Sequence, residues 1–432
     1  MNLIIHRGTN EIGGTCIELQ SGYSRILLDF GMPLVNKSGG GFDFRPFQKL
    51  PTSELIKQGI LPNVQGVYDN KNEIDGVIIS HPHADHYGLM QYLNKDISVW
   101  LGEATHKILE LNNIFLYQKN KIVTPNYFQK EQTFHVGTFT ITPYWMDHSA
   151  FDSYAFLIEA EGKKIFYSGD FRSHGRKSKV HKWFLHNVPK EVNYLLLEGT
   201  TLGRNQTIQK TEEDIQNELI VLFKQSDCIN YIYTSSQNID RLVSIYKACL
   251  ASDKTLVVDV YTANVLETLS EFARLPSPLK GFPILRVLFP HYLTTKLVNS
   301  GHNNLVYKFK GKRMPKEEIS SSPSDYVVIV RPSMRKDLGK ISTTKGNLIY
   351  SMWEGYKLHD STRTFLDWLK SKNFTIHDIH TSGHADPETL KELADTLSPV
   401  IIIPIHTFNK KDYKNIFNQK VLELDDNQIL NI

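Results

Sequence analysis

The chain has 432 residues, with 49 lysines and arginines against 46 acidic residues and a 41% hydrophobic content. That length is too great for one ordinary core and suggests two domains, and the composition is that of a normal soluble globular protein. A formal net charge of only +3 excludes nucleic-acid binding through global charge, so any such binding must come from a local groove. Cys16, Cys228 and Cys249 are few and widely spaced. They read as buried thiols, not as a disulfide framework or a cysteine zinc site. No apolar stretch approaches the ~20 residues that span a bilayer, and Met1-Asn2-Leu3-Ile4-Ile5 begins directly as a strand, without the apolar core of a signal peptide. The expected location is cytoplasmic, with no membrane partner.

In chain order, residues 1 to about 195 alternate short strands with Gly and Asn turns: Leu3-Ile4-Ile5, Cys16-Ile17-Glu18-Leu19, Arg25-Ile26-Leu27-Leu28, and later Thr138-Phe139-Thr140-Ile141. That texture suits sheets packed as a sandwich with helices outside. From about 206 the pattern becomes strand-helix-strand. Asn230-Tyr231-Ile232-Tyr233 precedes a helix from Ile239 with Leu242, Val243, Ile245, Tyr246 and Cys249 on one face. Leu256-Val257-Val258-Asp259-Val260 and a helix through Val265, Leu266, Leu269 and Phe272 repeat the unit, which argues for a parallel sheet with crossover helices. The basic segment 308–316 is expected to be a solvated surface loop. Val400-Ile401-Ile402-Ile403 forms a late strand.

The most informative stretch is Ser80-His81-Pro82-His83-Ala84-Asp85-His86, directly after the apolar run Gly76-Val77-Ile78-Ile79. Extended backbone alternates side-chain direction, so His81 and His83 point the same way, and the following turn adds Asp85 and His86. Three imidazoles and a carboxylate suit Zn(II), with Mn(II) or Fe(II) as alternatives where carboxylates weigh more. Further candidates each follow a hydrophobic run: His148 after Phe139-Thr140-Ile141-Thr142, Asp170 after Lys164-Ile165-Phe166-Tyr167, and His406 after the late strand. A single His after a strand is commonly a loop residue. Their joint occurrence at strand ends is how α/β folds collect a site at one sheet edge.

This set resembles the metallo-β-lactamase superfamily, whose HxHxDH core matches His81, His83, Asp85 and His86. The later His matches His148, the bridging Asp matches Asp170, and an early supporting Asp matches Asp29 in Leu28-Asp29-Phe30-Gly31. The α/β segment before His384 and His406 is similar to the insert of the beta-CASP subgroup. That subgroup's motifs A, B and C resemble Leu197-Glu198-Gly199, His380-Thr381-Ser382-Gly383-His384 and Pro404-Ile405-His406. The resemblance is closest to RNase J-like exonucleases and mRNA 3′-end processing nucleases. It implies an αββα sandwich (1–205 and 375–432) carrying an inserted Rossmann-like α/β beta-CASP domain (206–374).

The resemblance further implies two divalent metal ions, Zn(II) with Mn(II) as the alternative. One is expected on His81, His83, His148 and Asp170, the other on Asp85, His86, Asp170 and His406. A metal-bridged hydroxide would attack phosphorus in line, with Asp85 in the catalytic set. His384 would protonate the leaving 3′-oxygen, oriented by Glu198. The expected substrate is single-stranded RNA, cut 5′→3′ from a 5′-monophosphate, with endonuclease activity also open. A His at motif C accompanies RNA-processing members, against a DNA nuclease or a small-molecule metallo-hydrolase as rivals. Ser235, Ser236 and Asn238, entering a helix, and Ser382 are candidates for holding phosphate at an inter-domain cleft. Arg172, at the head of a basic run after Asp170, is expected to reach the same strand. Oligomeric state is left open.

Overall fold

The computed structural model describes every residue except 36–40, 70, 72, 117, 121 and 205–208. The chain divides into two compact units. Met1–Glu110, Gln118–Ile208 and Gly383–Ile432 form the first, and Leu111–Tyr117 with Gln209–Ser382 the second. The expected return at 375 falls within Phe374–Asp378, a strand paired with Gly346–Tyr350 inside the second unit.

In the first unit, one seven-stranded sheet runs Ile429–Asn431, Asn2–Arg7, Cys16–Ser21, Ser24–Leu28, Gly76–Ile78, Val99–Leu101, Pro125–Tyr127. The other runs Lys420–Val421, Ile401–Ile405, Tyr194–Glu198, Lys163–Tyr167, Tyr154–Ala160, Phe139–Trp145, Phe134–Val136. Period-2 alternation sends Leu3, Ile5, Ile26 and Leu28 of the first sheet against Phe156, Ile158, Leu196 and Ile403 of the second. Both faces are apolar because each outer face is also covered. Leu195, Leu197 and Leu157 pack with Phe184 of helix Ser178–Asn187 and with Leu390, Leu393 and Leu397 of helix Pro387–Leu397. Leu27, Val77 and Ile79 pack with Leu55 of helix Thr52–Lys57 and with Leu109 of helix Glu103–Phe115. This unit is therefore an αββα sandwich.

Strand direction places the site. Lys163–Tyr167, Tyr194–Glu198 and Ile401–Ile405 are mutually parallel neighbours, and Ile26–Leu28 is parallel to Gly76–Ile78. Parallel neighbours end on one edge, so the residues that follow them are delivered together.

The second unit is a six-stranded, all-parallel sheet in the order Leu285–Leu288, Thr255–Asp259, Tyr326–Val330, Ile229–Tyr233, Gly346–Tyr350, Phe374–Asp378. Three of its helices start on strong caps. Thr211 and Asp214 form a reciprocal capping box before Glu212–Gln225, and Asn238 and Asp259 cap Ile239–Leu250 and Val260–Leu269. The last of these helices ends before Phe272, which is exposed, so the apolar pattern read there overran the helix. The basic segment is largely exposed, as expected, but it is not a plain loop. It forms short helical turns, Asn304–Tyr307, Lys310–Lys312 and Lys316–Ser321, pinned by buried Phe309, Met314 and Ile319. No helix among the described residues is long and apolar enough to cross a membrane.

Candidate metal centre

Three imidazoles converge first. His83 Nδ1 lies 3.2 Å from His81 Nε2 and 3.1 Å from His148 Nε2. The opposite ring nitrogens have other work. His148 Nδ1–H donates to the Gly383 carbonyl at 2.5 Å, and His81 Nδ1 lies 3.0 Å from Ser80 Oγ. Ser80 Oγ–H itself donates to Asp29 at 2.8 Å, so it receives the His81 proton, which leaves the His81 Nε2 lone pair facing the trio. Such outer partners fix the tautomer of a metal-ligating imidazole. Burial, reinforced by neighbouring imidazoles, pushes His81 and His148 well below the ordinary imidazole pKa, and burial holds His83 at about 4. Three neutral imidazoles with lone pairs turned inward are the donor set of a borderline-soft divalent cation.

The second set is Asp85, His86, Asp170 and His406, all buried. His86 Nε2 lies 3.1 Å from Asp170 Oδ2, and His406 Nε2 lies 3.2 Å from Asp85 Oδ2. Burial opposes ionisation of Asp170, but the imidazoles of His406, His86 and His384 outweigh it and hold its pKa well below the carboxylate range. Asp85 is likewise held near about 2 against its burial, mainly by His86 and His406. Burial would depress His86, but Asp170, Asp29 and Asp85 raise it well above its ordinary value. These protons are the ones a cation would displace. Asp170 also lies 3.7 Å from His81 Nε2, so one carboxylate adjoins both sets.

A third group borders it. His384 Nδ1 lies 3.1 Å from Glu198 Oε2 and 3.6 Å from Asp170 Oδ2. Glu198 is fully buried at the end of its strand and accepts from the backbone N–H of Phe171 and Thr200 at 3.1 and 3.3 Å. His384 is presented just ahead of helix Pro387–Leu397, which Asp386 caps.

Known proteins resemble this chain in sequence and fold. A Beta-lactamase superfamily domain matches residues 51–210, and a Zn-dependent metallo-hydrolase RNA specificity domain matches residues 371–411. Ribonuclease J of Helicobacter pylori (strain B128) is 24% identical over 92% of this chain and 55% of its own length. Ribonuclease J of Mycoplasma genitalium is 22% identical over 98% of this chain and 71% of its own. These matches make the chain similar to the beta-lactamase superfamily and, within it, to ribonuclease J-like beta-CASP enzymes. It spans about half the length of the Helicobacter relatives it matches. A crystal structure of a protein of unknown function from Enterococcus faecalis V583 shares the fold, with a TM-score of 0.80 at 21% identity over 99% of both chains.

In this chain, the metal-type donors His81, His83, Asp85, His86, His148, Asp170 and His406, together with Glu198 and His384, meet in the first unit. The supporting residue Asp29 accepts from the Ser80 backbone N–H, Ser80 Oγ, His86 Nδ1 and Tyr167 OH at 2.5–2.8 Å. Ser80 and Tyr167 were not among the candidates. The only signal for them was their position, each directly ahead of a motif.

Arg172 is a correction. It is fully buried, its Nε 3.5 Å from Asp147 Oδ1, and its backbone N–H donates to the Asp147 carbonyl at 2.7 Å. Placed there, it braces the loop that carries His148 and cannot present a guanidinium to solvent. Ser235, Ser236, Asn238 and Ser382 belong to the second unit. Ser236 is also a correction, because its buried Oγ is engaged with Thr262 Oγ1 and the Arg331 guanidinium, each at 2.7 Å. Asn238 Oδ1 accepts from the Arg241 backbone N–H and serves as a helix cap, while Ser235 Oγ accepts from the Gln237 backbone N–H. Ser382 is half-buried.

Proposed function

We propose that this chain is a metal-dependent phosphodiesterase that hydrolyses single-stranded RNA, working with two divalent cations, Zn(II) or Mn(II), in the cytoplasm. The observation that carries the reading is two adjoining donor sets that share Asp170, bordered by the His384–Glu198 pair. The names of the similar proteins, ribonuclease J, and of the matching RNA specificity domain support RNA as the substrate. Free thiols at Cys16, Cys228 and Cys249 suit a reducing compartment.

His81, His83, His148 and Asp170 would hold one cation and Asp85, His86, Asp170 and His406 the other. When bound, such cations acidify water and neutralise charge on phosphoryl oxygens. The chain's own residues complete the reaction. Asp29 keeps His86 and, through Ser80, His81 turned to their task. Glu198 accepts from His384 Nδ1–H, which fixes the ring. The departing proton then comes from Nε2, passing to the leaving 3′-oxygen as the P–O bond breaks. The products are a 5′-phosphate and a 3′-hydroxyl.

The direction we infer is 5′→3′, starting from a 5′-monophosphate. The test incubates the protein with end-labelled RNA and DNA of one sequence, each with 5′-phosphate or 5′-hydroxyl, and with a circular RNA, in Zn(II), Mn(II) or chelator. Stepwise short products from 5′-phosphorylated RNA are expected, lost in chelator. Equal cleavage of circular RNA would end the exonuclease claim, and preferential cutting of DNA would end the ribonuclease one.

A further inference from the structure

The basic segment of the second unit lines a cavity of about 620 Å³ with Lys310, Arg313, Lys316, Lys340, Phe289 and Tyr307 in its wall. The charges are not equivalent. Lys316 Nζ lies 2.6 Å from Asp337 Oδ1, and the Asp337 carboxylate also accepts from the His291 backbone N–H at the start of helix His291–Asn299. That carboxylate is therefore spent on Lys316 and on the helix end. Lys310, Arg313 and Lys340 have no carboxylate partner among the described residues.

Cations gathered around a concavity without counter-charge repel one another, and an anion relieves that repulsion. The Arg313 guanidinium stands over the Phe289 ring at 5.9 Å, which positions it while leaving its planar fork of donors for a phosphate. Thr294 Oγ1, also in the wall, is buried and has no hydrogen-bond partner among the described residues. A hydroxyl in that position lacks only a polar ligand atom. The volume falls within the ~300–1,000 Å³ of small-molecule sites and far exceeds what one phosphate needs. The exposed ring of Tyr307 offers a face on which a base can stack.

We propose that this cavity is a second binding site, in the second unit, for a nucleoside phosphate. Its phosphate is held by Lys310, Arg313 and Lys340, and its base lies against Tyr307. The nucleotide can be free or part of an RNA strand. The site shares no residue with the metal centre, so it stands or falls independently of the nuclease reading.

The test is calorimetric titration of the full chain, stripped of metal by chelator, with AMP, adenosine, inorganic phosphate and a ten-nucleotide single-stranded RNA. AMP should saturate, with adenosine at least about tenfold weaker because the charge-assisted bonds are missing. Lys310→Glu with Arg313→Glu should weaken AMP by about tenfold or more, and Lys340→Ala by a smaller factor. These side chains are exposed, so the variants should fold, and their metal-loaded hydrolysis of bis(p-nitrophenyl) phosphate should stay within about twofold of the parent. Displacement of AMP by the RNA would identify a strand as the source of the phosphate, whereas AMP binding without displacement would identify a free nucleotide. Unchanged AMP affinity in the double variant, adenosine binding as tightly as AMP, or no saturation with AMP would each overturn the proposal.

Discussion

Glu198→Gln is nearly isosteric, yet the hydrogen bonds around Glu198 make it a severe change. Oε1 accepts from the Phe171 N–H, Oε2 accepts from the Thr200 N–H, and His384 Nδ1 lies 3.4 and 3.1 Å from the two oxygens. A glutamine offers one acceptor oxygen. Whichever way its amide is turned, an NH₂ faces a backbone N–H donor inside a buried site. One unsatisfied buried donor costs about 1–3 kcal/mol, so Glu198→Gln should lose that much stability in denaturant titration. His384→Ala, at a partly exposed side chain, should lose less. On RNA in single turnover, His384→Ala should lower the rate by roughly 10²–10⁴, the usual contribution of a general acid. If Glu198 acts through His384, the double variant should be no slower than His384→Ala alone. Multiplicative losses would refute the pairing. Asp170, Glu198, His384 and His406 also lie close enough to hold an ion. Elemental analysis is therefore run alongside, and metal lost in His384→Ala would make it a ligand instead of an acid.

Asp170→Ala should lose most bound metal together with activity, because its carboxylate adjoins both donor sets; full activity in that variant would sink the two-cation reading. Arg172→Ala breaks a buried ion pair and should cost about 3–5 kcal/mol in denaturant unfolding, and unchanged stability with uniformly weaker RNA binding would show that the side chain reaches substrate after all. Glu18 accepts from Arg25 Nε at 2.7 Å and lies 2.8 Å from His6 Nε2; burial raises its pKa, but those bonds win and leave it below the ordinary 4.5. A depressed carboxylate stabilises the fold above its unfolded pKa and loses that contribution as pH falls through the folded one. Glu18→Gln should therefore destabilise at pH 7 by about 1–3 kcal/mol and flatten stability between pH 5 and 3; an unchanged acid profile would show the pair contributes nothing.

Much of the candidate metal centre was legible because its signals are local. His81 and His83 share a side of extended backbone, and Asp170, Glu198 and His406 each mark the end of an apolar run. Parallel pairing then brings separate runs to one edge, as the joint placement of these residues at strand ends suggested. Arg172 was misread because its partner, Asp147, lies 25 positions upstream, and a basic run looks the same whether its first residue faces water or a buried carboxylate. The segment 308–316 is largely exposed, as expected, but its short helical turns were not legible. Its lysines dominate the composition, whereas Phe309 and Met314, single apolar residues without periodicity, decide that it packs.

The backbone at the site carries a feature that residue types do not reveal. Asp29 and His406 both adopt left-handed conformations, with φ of 58° and 51°, which for a non-glycine residue costs on the order of 1–3 kcal/mol. Each follows a strand, and the turn swings its side chain off the strand direction into the cluster. Each is also held on several sides. The Asp29 N–H donates to the Ile78 carbonyl at 2.9 Å while its carboxylate takes four donors, and the His406 N–H donates to the Gly8 carbonyl at 2.7 Å while Nδ1 lies 2.8 Å from Thr200 Oγ1. Close approach adds a further constraint. A Cβ on Gly31 would lie 1.6 Å from the Asp85 carbonyl oxygen, so the Asp29-Phe30-Gly31 turn can lie against the Asp85 turn only with glycine there. The strain thus sits where the rest of the fold over-determines the geometry. Glycine at position 29 would relieve the φ but remove the carboxylate that orders Ser80, His86 and Tyr167, which is why the site keeps the strained aspartate.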